Sequence, residues 1–261
     1  MNSEPEFGMD LDSGENTLQS EMRLIVEALY GPPVRRLPGL DIGRAYRGAL
    51  NDSQFGGDIV DVFYYDHGCT SVAVVDITGH GMRAATHAGL IKHALRAYVS
   101  KGFDALESIQ ALNKLFIENS AFEKDDETFA TVFFAIIKPD RRSMQYVAAG
   151  IESMAHLHHE RGDMLPATGP IIGLIDDPAA FTQHVIPLAV GNIVVAVTDG
   201  FSESRNAKME FLGAEVMIDV ILANPLRDAE HQAEALTRYA YEYTNERLHD
   251  DVGTLVVKIR A

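Results

Sequence analysis

The chain has 261 residues, 46% hydrophobic and 23% charged, enough to bury a sizeable core as one large domain or two small ones. Its formal net charge is -16 and its basic runs are no longer than Arg35-Arg36 and Arg141-Arg142, which argues against a nucleic-acid partner. Cys69 is the only cysteine, so an intrachain disulfide and a thiolate zinc site are excluded and a reducing, cytoplasmic setting fits. No apolar run approaches the roughly 18 residues of a membrane span.

Residues 1–15 are polar and acidic and read as a disordered or appended tail. An amphipathic helix is expected from about Glu15 to Tyr30, with Leu18, Met22, Ile25, Val26 and Leu29 on one face, stopped by Gly31-Pro32-Pro33. Residues 16–37 thus form a helix and linker ahead of a main domain at 38–261, and the helix at 16–30 is a candidate homodimer or regulator contact.

Strand-like runs follow at Asp41–Arg47, Ile59–Tyr65 and Ser71–Ile77, expected as antiparallel neighbours. Met82–Lys101 carries helical spacing at Ala84, Ala88, Ile91 and Leu95, and a second helix is expected over Asp104–Asn119 with Asp104 as its N-cap. Strands return at Phe129–Ile137, Met144–Ala149, Met154–His158, Thr182–Leu188 and Ile193–Thr198. Helices near Phe211–Leu222 and Asp228–Leu248 lead into a last strand, Thr254–Ile259. Strand groups alternating with helix pairs indicate an α+β fold of stacked layers rather than a parallel βαβ sheet.

The chemistry is carried by aspartates at strand ends. Asp76 closes Val72-Ala73-Val74-Val75 and precedes Ile77-Thr78-Gly79-His80-Gly81, while Asp199 closes Ile193–Val197 and precedes Gly200. Asp250-Asp251 enters the last strand, and Gly56-Gly57-Asp58, with Asp61 three residues on, opens another. Each alone has an ordinary reading as a solvated turn. Gathered together, carboxylates repel unless cations or protons neutralise them, and an all-oxygen donor set suits a hard metal. In an acidic protein such a metal would supply the positive charge that a phosphorylated substrate requires.

The set and its order resemble the PPM-type metal-dependent serine/threonine phosphatases, in particular the bacterial SpoIIE-like (RsbU/RsbX-like) branch. Matching segments are Gly56–Asp61, Asp76–Gly81, Phe129-Ala130-Thr131, Thr168–Leu174, Thr198–Glu203 and Asp250-Asp251. The resemblance implies a central antiparallel β-sandwich flanked by helix pairs on both faces, and two divalent ions, Mn or Mg. It implies that Asp76 bridges the ions, that Asp58 and the Ile77 carbonyl hold one, and that Asp199 and Asp250 hold the other. Asp61, His80, Gly200 and Asp251 would stand just behind these ligands. It further implies attack by a metal-activated water on a phosphoserine or phosphothreonine of a small signalling partner, an anti-sigma-factor antagonist.

The chain departs from that pattern at Ile151-Glu152-Ser153, where Ala-Gly-His and a Pro are common, and at Gly253, where Thr or Ala is common. Two rival readings stand beside it, a non-catalytic pseudophosphatase that binds its partner and a hydrolase of small phosphoesters. His156-Leu157-His158-His159 offers only two same-face histidines on a strand and reads as a solvated strand-turn. The absence of a Gly-x-Ser-x-Gly elbow argues against a serine hydrolase.

Overall fold

The computed structural model describes residues 36–49, 57–65, 67–79, 81–120, 128–158 and 160–261. The expected helix at 16–30, the tail before it, Gly56 and His80 lie outside the described residues. Two antiparallel sheets stack face to face. The first has the order β1-β2-β11-β10-β7-β8 and comprises β1 (Arg36–Leu37), β2 (Leu40–Arg47), β7 (Met154–His158), β8 (Arg161–Met164), β10 (Ile193–Val197) and β11 (Val252–Ile259). The second runs β3-β4-β5-β6-β9, from β3 (Ile59–Tyr64), β4 (Thr70–Ile77), β5 (Ala130–Ile137), β6 (Ser143–Ala149) and β9 (His184–Pro187).

Strand periodicity divides the core into three layers. Val60, Val62, Val72, Val74 and Phe133 of the second sheet meet Ile42, Val194, Leu255 and Val257 of the first between the sheets. The alternate residues Ile59, Ala73 and Val75 face outward onto α1 (Gly81–Ser100) and α2 (Ala105–Ser120), against Ala84, Ala88, Ile91, Ile109 and Leu112. On the far side Val195, Val197 and Val256 pack against α4 (Val216–Leu222) and α5 (Ala229–Tyr243), through Met217, Ile221, Ala233 and Leu236. The result is the expected sandwich with a helix pair on each face. None of the described helices is long and apolar enough to cross a membrane.

Local chemistry sets several ends. The Glu107 amide donates to Asp104 Oδ1 and the Asp104 amide donates to Glu107 Oε2, both at 2.9 Å, a reciprocal cap that starts α2 where expected. Helix α4 starts later than its apolar spacing indicates, because Phe211 is bridged to Arg205 and Gly213 turns the chain at φ 84°. Helix α5 stops at Tyr243 rather than Leu248, because Asn245 and Glu246 take positive φ.

One expected neighbour is wrong. β2 does not pair with β3 but lies in the other sheet against β11, with Ile42 opposite Val257. Both are long strands whose side chains are largely buried, and their pairing spans almost the whole chain, which local pattern does not reveal. β8 was not anticipated, since Arg161-Gly162-Asp163-Met164 offers no apolar alternation.

Candidate metal centre

The site lies where one end of each sheet meets the other. In the second sheet the β3–β4 register pairs Ile59 with Val75, so its continuation by one residue sets Asp58 opposite Asp76. In the first sheet Val197 pairs with Thr254 and the ladder extends into the next turn. There the Thr198 amide donates to the Gly253 carbonyl (3.0 Å), and the Gly253 amide donates to Thr198 Oγ1 (2.9 Å). This fixes Asp199, the first residue of the short helix α3 (Asp199–Ser202), beside Asp250 and Asp251.

Electrostatics records the convergence. Asp58 is 2% exposed and its carboxyl is held well above the usual carboxylate range, first by burial and then by the negative charge of Asp76, with Asp251 adding to it. A contact from the Thr198 hydroxyl partly offsets this. Asp58 Oδ2 is buried with no hydrogen-bond partner. Asp76 is also raised, by burial and by Asp250 and Asp251, and Asp199 is pushed up to about 7 by burial and by Asp76 and Asp250. Five carboxylates therefore lie within electrostatic reach of one another.

The backbone around them is closely fitted. A Cβ on Gly57 would come within 2.7 Å of the Ile77 carbonyl oxygen, so only glycine lets this strand entry lie against that carbonyl. The Ile77 side chain is buried among the helix-facing core residues, which leaves the carbonyl as its available donor. A Cβ on Gly200 would collide with the Asp251 carbonyl, so Gly200 is the contact that seats α3 on the β11 entry. The Asp251 side chain accepts from Tyr46 Oη and from the Ala49 amide, each at 2.9 Å, which orients it.

The donor set fits a hard divalent cation: the residues are all-oxygen donors, one is a buried carboxylate oxygen without a partner, and three carboxyls are raised by burial and like charge. Among the described residues, however, no three His, Cys, Asp or Glu side chains stand close enough to share one ion as they are placed. Like-charge repulsion opposes closer approach of uncompensated carboxylates.

Asp58, Asp76, Asp199, Asp250 and Asp251 are thus brought together, with Ile77 and Gly200 beside them. Asp61 is not among them. Its carboxylate accepts from Arg96 Nε at 2.7 Å and Nη2 at 2.6 Å, and Lys92 Nζ lies 3.9 Å away, on the helix-facing side of β3. His156 and His158 contact Asn192 and Asp163 respectively, each through Nε2. Ile151 is buried in the inter-sheet core, and Ser153 Oγ lies 3.2 Å from Ser202 Oγ, so the unusual 151–153 segment buttresses α3 from below.

Sequence reasoning missed Thr198 and Tyr46, whose hydroxyls serve residues far along the chain. It also missed the cleft of 280 Å³ beside Asp199 and Asp250, walled by Glu203, Ser204, Arg205, Met209 and His249. Arg205 gave one signal, its position six residues after a strand-end aspartate.

Comparison with known proteins agrees with the two-sheet fold. Residues 66–260, well over half of the chain, match the family model of Stage II sporulation protein E. The phosphoserine phosphatase RsbU of Bacillus subtilis is 24% identical over 251 residues, which cover 94% of this chain and 71% of RsbU. The PP2C domain of SiaA from Pseudomonas aeruginosa superposes with a TM-score of 0.73 at 22% identity, covering 96% of this chain and all of that one. The structure of RsbU and RsbW domains from a Mycobacterium tuberculosis protein gives a TM-score of 0.71 at 22% identity, with 86% of this chain and 61% of that chain covered. The catalytic domain of the phosphatase PstP, solved with two manganese ions, shares the fold at a TM-score of 0.61 and 13% identity, over 85% of this chain and 99% of that one. By its family match, its two-sheet fold and its strand-end aspartates, the chain belongs to the SpoIIE family, the SpoIIE-like branch of the PPM-type phosphatases.

Proposed function

We propose that the chain is a Mn- or Mg-dependent phosphoserine/phosphothreonine protein phosphatase that acts in the cytoplasm on a small signalling partner of the anti-sigma-factor-antagonist type. The observation that carries this is the gathering of five strand-end carboxylates around a buried, unpartnered Asp58 oxygen. Asp76 would be shared between two ions, with Asp58 and the Ile77 carbonyl on one and Asp199 and Asp250 on the other. Bound divalent ions would supply Lewis acidity to the phosphoryl group and lower the pKa of an attacking water.

The chain's own residues do the rest. Thr198 locks the β10 exit to β11 and leans on Asp58, holding the two sheet ends in register. Gly200 lets α3 approach β11 closely enough for Asp199 and Asp250 to share the cleft wall. Tyr46 and the Ala49 amide hold the Asp251 carboxylate behind the ligands.

The test is hydrolysis of a phosphoserine protein and of an aryl phosphate with Mn, with chelator, and in Asp76→Asn and Asp199→Asn. Equal turnover in all four conditions would sink the proposal. A non-catalytic binding module draws on one observation, that no three acidic side chains stand at coordinating distance among the described residues. Partner binding that survives chelation, with no turnover at millimolar Mn, would favour it. Faster hydrolysis of a metabolite than of any phosphoprotein would instead indicate a small-molecule phosphoesterase.

A further inference from the structure

The cleft beside the aspartates has a second wall that the metal chemistry does not use. It is formed by the segment between α3 and α4, and it supplies Arg205 and Met209, while His249 comes from the turn before β11. The segment is a tightly bonded hairpin. Arg205 and Phe211 form an antiparallel bridge, the Leu212 amide donates to the Ser204 carbonyl (2.8 Å), and the Gly213 amide donates to the Ser202 carbonyl (2.9 Å). Asn206 closes its tip, where Oδ1 accepts from the amides of Lys208 (2.8 Å) and Glu210 (3.1 Å), and its Nδ2 donates to Glu210 Oε2 (2.8 Å).

This construction holds two unusual features in place. Met209 takes a left-handed φ of 65° and leaves its side chain 62% exposed on the cleft. A non-glycine residue in that region is strained, and a hairpin this well bonded maintains it. Arg205 lays its guanidinium over the ring of Phe211, 4.3 Å from the centroid, and Phe211 is itself 54% exposed. Among the described residues no carboxylate is paired with Arg205. An arginine propped flat on an aromatic ring keeps its planar donor edge free for a bidentate partner, and loses little conformational freedom on binding one.

The charge pattern selects the occupant. Asp199, Asp250 and Glu203 give the cleft lining its acidic groups, and Arg205 stands among them as its guanidinium, in a protein of net charge -16. A bound phosphoryl group belongs with the aspartates, which leaves Arg205 for a second anionic group. The volume of 280 Å³ exceeds that of a phosphoryl group several-fold, which leaves room for an adjoining side chain. Exposed Met209 on the cleft wall offers apolar contact to that neighbour.

We propose that Arg205, stacked on Phe211 and flanked by Met209, is a specificity-determining residue that binds a carboxylate-bearing side chain next to the phosphorylated residue of the substrate. This deepens the phosphatase reading and rests on it. The enzyme therefore prefers phosphoserine peptides with an adjacent Asp or Glu over otherwise identical peptides with Lys.

The experiment compares Asp-flanked and Lys-flanked phosphoserine peptides, and an aryl phosphate, with the full chain in Mn. A charge-assisted bidentate contact predicts a kcat/KM ratio of about 10 or more in favour of the Asp-flanked peptide, expressed mainly in KM. Arg205→Glu should bring the ratio below one, Arg205→Lys should retain part of it, and the loss on aryl phosphate should be smaller than on the Asp-flanked peptide. No flank preference in the unaltered chain, a preference that survives Arg205→Glu, or equal loss on aryl phosphate and peptide would each overturn the proposal. If no substrate is hydrolysed at all, the phosphatase reading fails separately, and fluorescence anisotropy with the same two peptides still reads the flank contrast. Equal affinities in that assay would overturn the Arg205 assignment as well.

Discussion

Asp58 and Asp61 sit three residues apart at the start of one strand, yet they live in opposite electrostatic worlds. An odd offset in a strand places them on opposite faces. Asp61 turns toward α1 and is gripped by Arg96 through two short hydrogen bonds, with Lys92 close by. Asp58 turns toward the other sheet, meets Asp76 and Asp251, and leaves one buried oxygen without a partner. A paired carboxylate contributes to the fold as it stands. An unpaired, buried one costs stability until a proton or a cation compensates it.

The largest expected effect tests the unpaired side. Asp76→Asn should lower Mn-dependent turnover of a phosphoprotein by about 1,000-fold, the scale of several kcal/mol of lost transition-state stabilisation. The metal-free mutant should melt no lower than the unaltered protein, because it removes a repelling charge beside Asp58. A mutant that loses turnover and also melts much lower in chelator would break the contrast.

Arg96→Ala should show the reverse balance. It strips the bidentate partner from Asp61, and because Arg96 is only half-buried the loss should be about 2 kcal/mol, below the full cost for a deeply buried pair. For a domain of this size that lowers Tm by roughly 5 °C in a thermal melt, with or without Mn. If Arg96→Ala instead changed Mn affinity more than stability, Asp61 would belong with the metal centre after all.

This division shows which parts of the site were legible in the sequence. Asp76 and Asp199 announced themselves because each ends an apolar run and is followed closely by glycine, a pattern that survives folding unchanged. Asp61 looked like a neighbour of Asp58 because it is near in sequence, although strand alternation alone puts them on opposite faces. Its partners Arg96 and Lys92 lie on a helix whose spacing reveals only its apolar face, and a charged residue on the helix flank carries no sign of where it reaches. The layered α+β fold was readable from periodicity, but the seating of β2 beside β11 was not, since that pairing joins residues about as far apart as the chain allows. Thr198 and Tyr46 were invisible for the same reason: their roles are hydrogen bonds to Gly253 and Asp251, made only once the sheet ends meet.

Acidity provides a smaller and more graded probe. Asp199 has a folded pKa of about 7, above the roughly 3.9 of an unfolded aspartate. Between those values Asp199 binds more protons in the folded state than in the unfolded one, so its contribution makes the stability of the metal-free protein fall as pH rises from about 4 to about 7. Asp58 and Asp76 are raised in the same direction and steepen the fall. Saturating Mn binds the ionised carboxylates and should reverse the slope. Melts in chelator and in Mn across this range read both signs, and Asp199→Asn should flatten the chelator curve. A metal-free protein that gains stability with rising pH through this window would contradict the account.

The smallest effect concerns Gly253, one of the positions that depart from the pattern of the wider family. A methyl there would stand 3.2 Å from Thr198 Cγ2, 3.3 Å from Val60 Cγ2 and 3.6 Å from Asp58 Oδ2. The first two contacts are tight and would push apart the join between the sheets, while the third would shield the unpartnered oxygen from a cation. Gly253→Ala should therefore cost about 1 kcal/mol of stability, a mild overpacking, and weaken Mn binding by a few-fold in calorimetric titration. Both losses should be smaller than those of Arg96→Ala and Asp76→Asn in their respective assays. Because the methyl touches the unpaired carboxylate and not Asp61, a Gly253→Ala protein with lowered stability but unchanged Mn affinity would show that Asp58 Oδ2 is not where the cation is held.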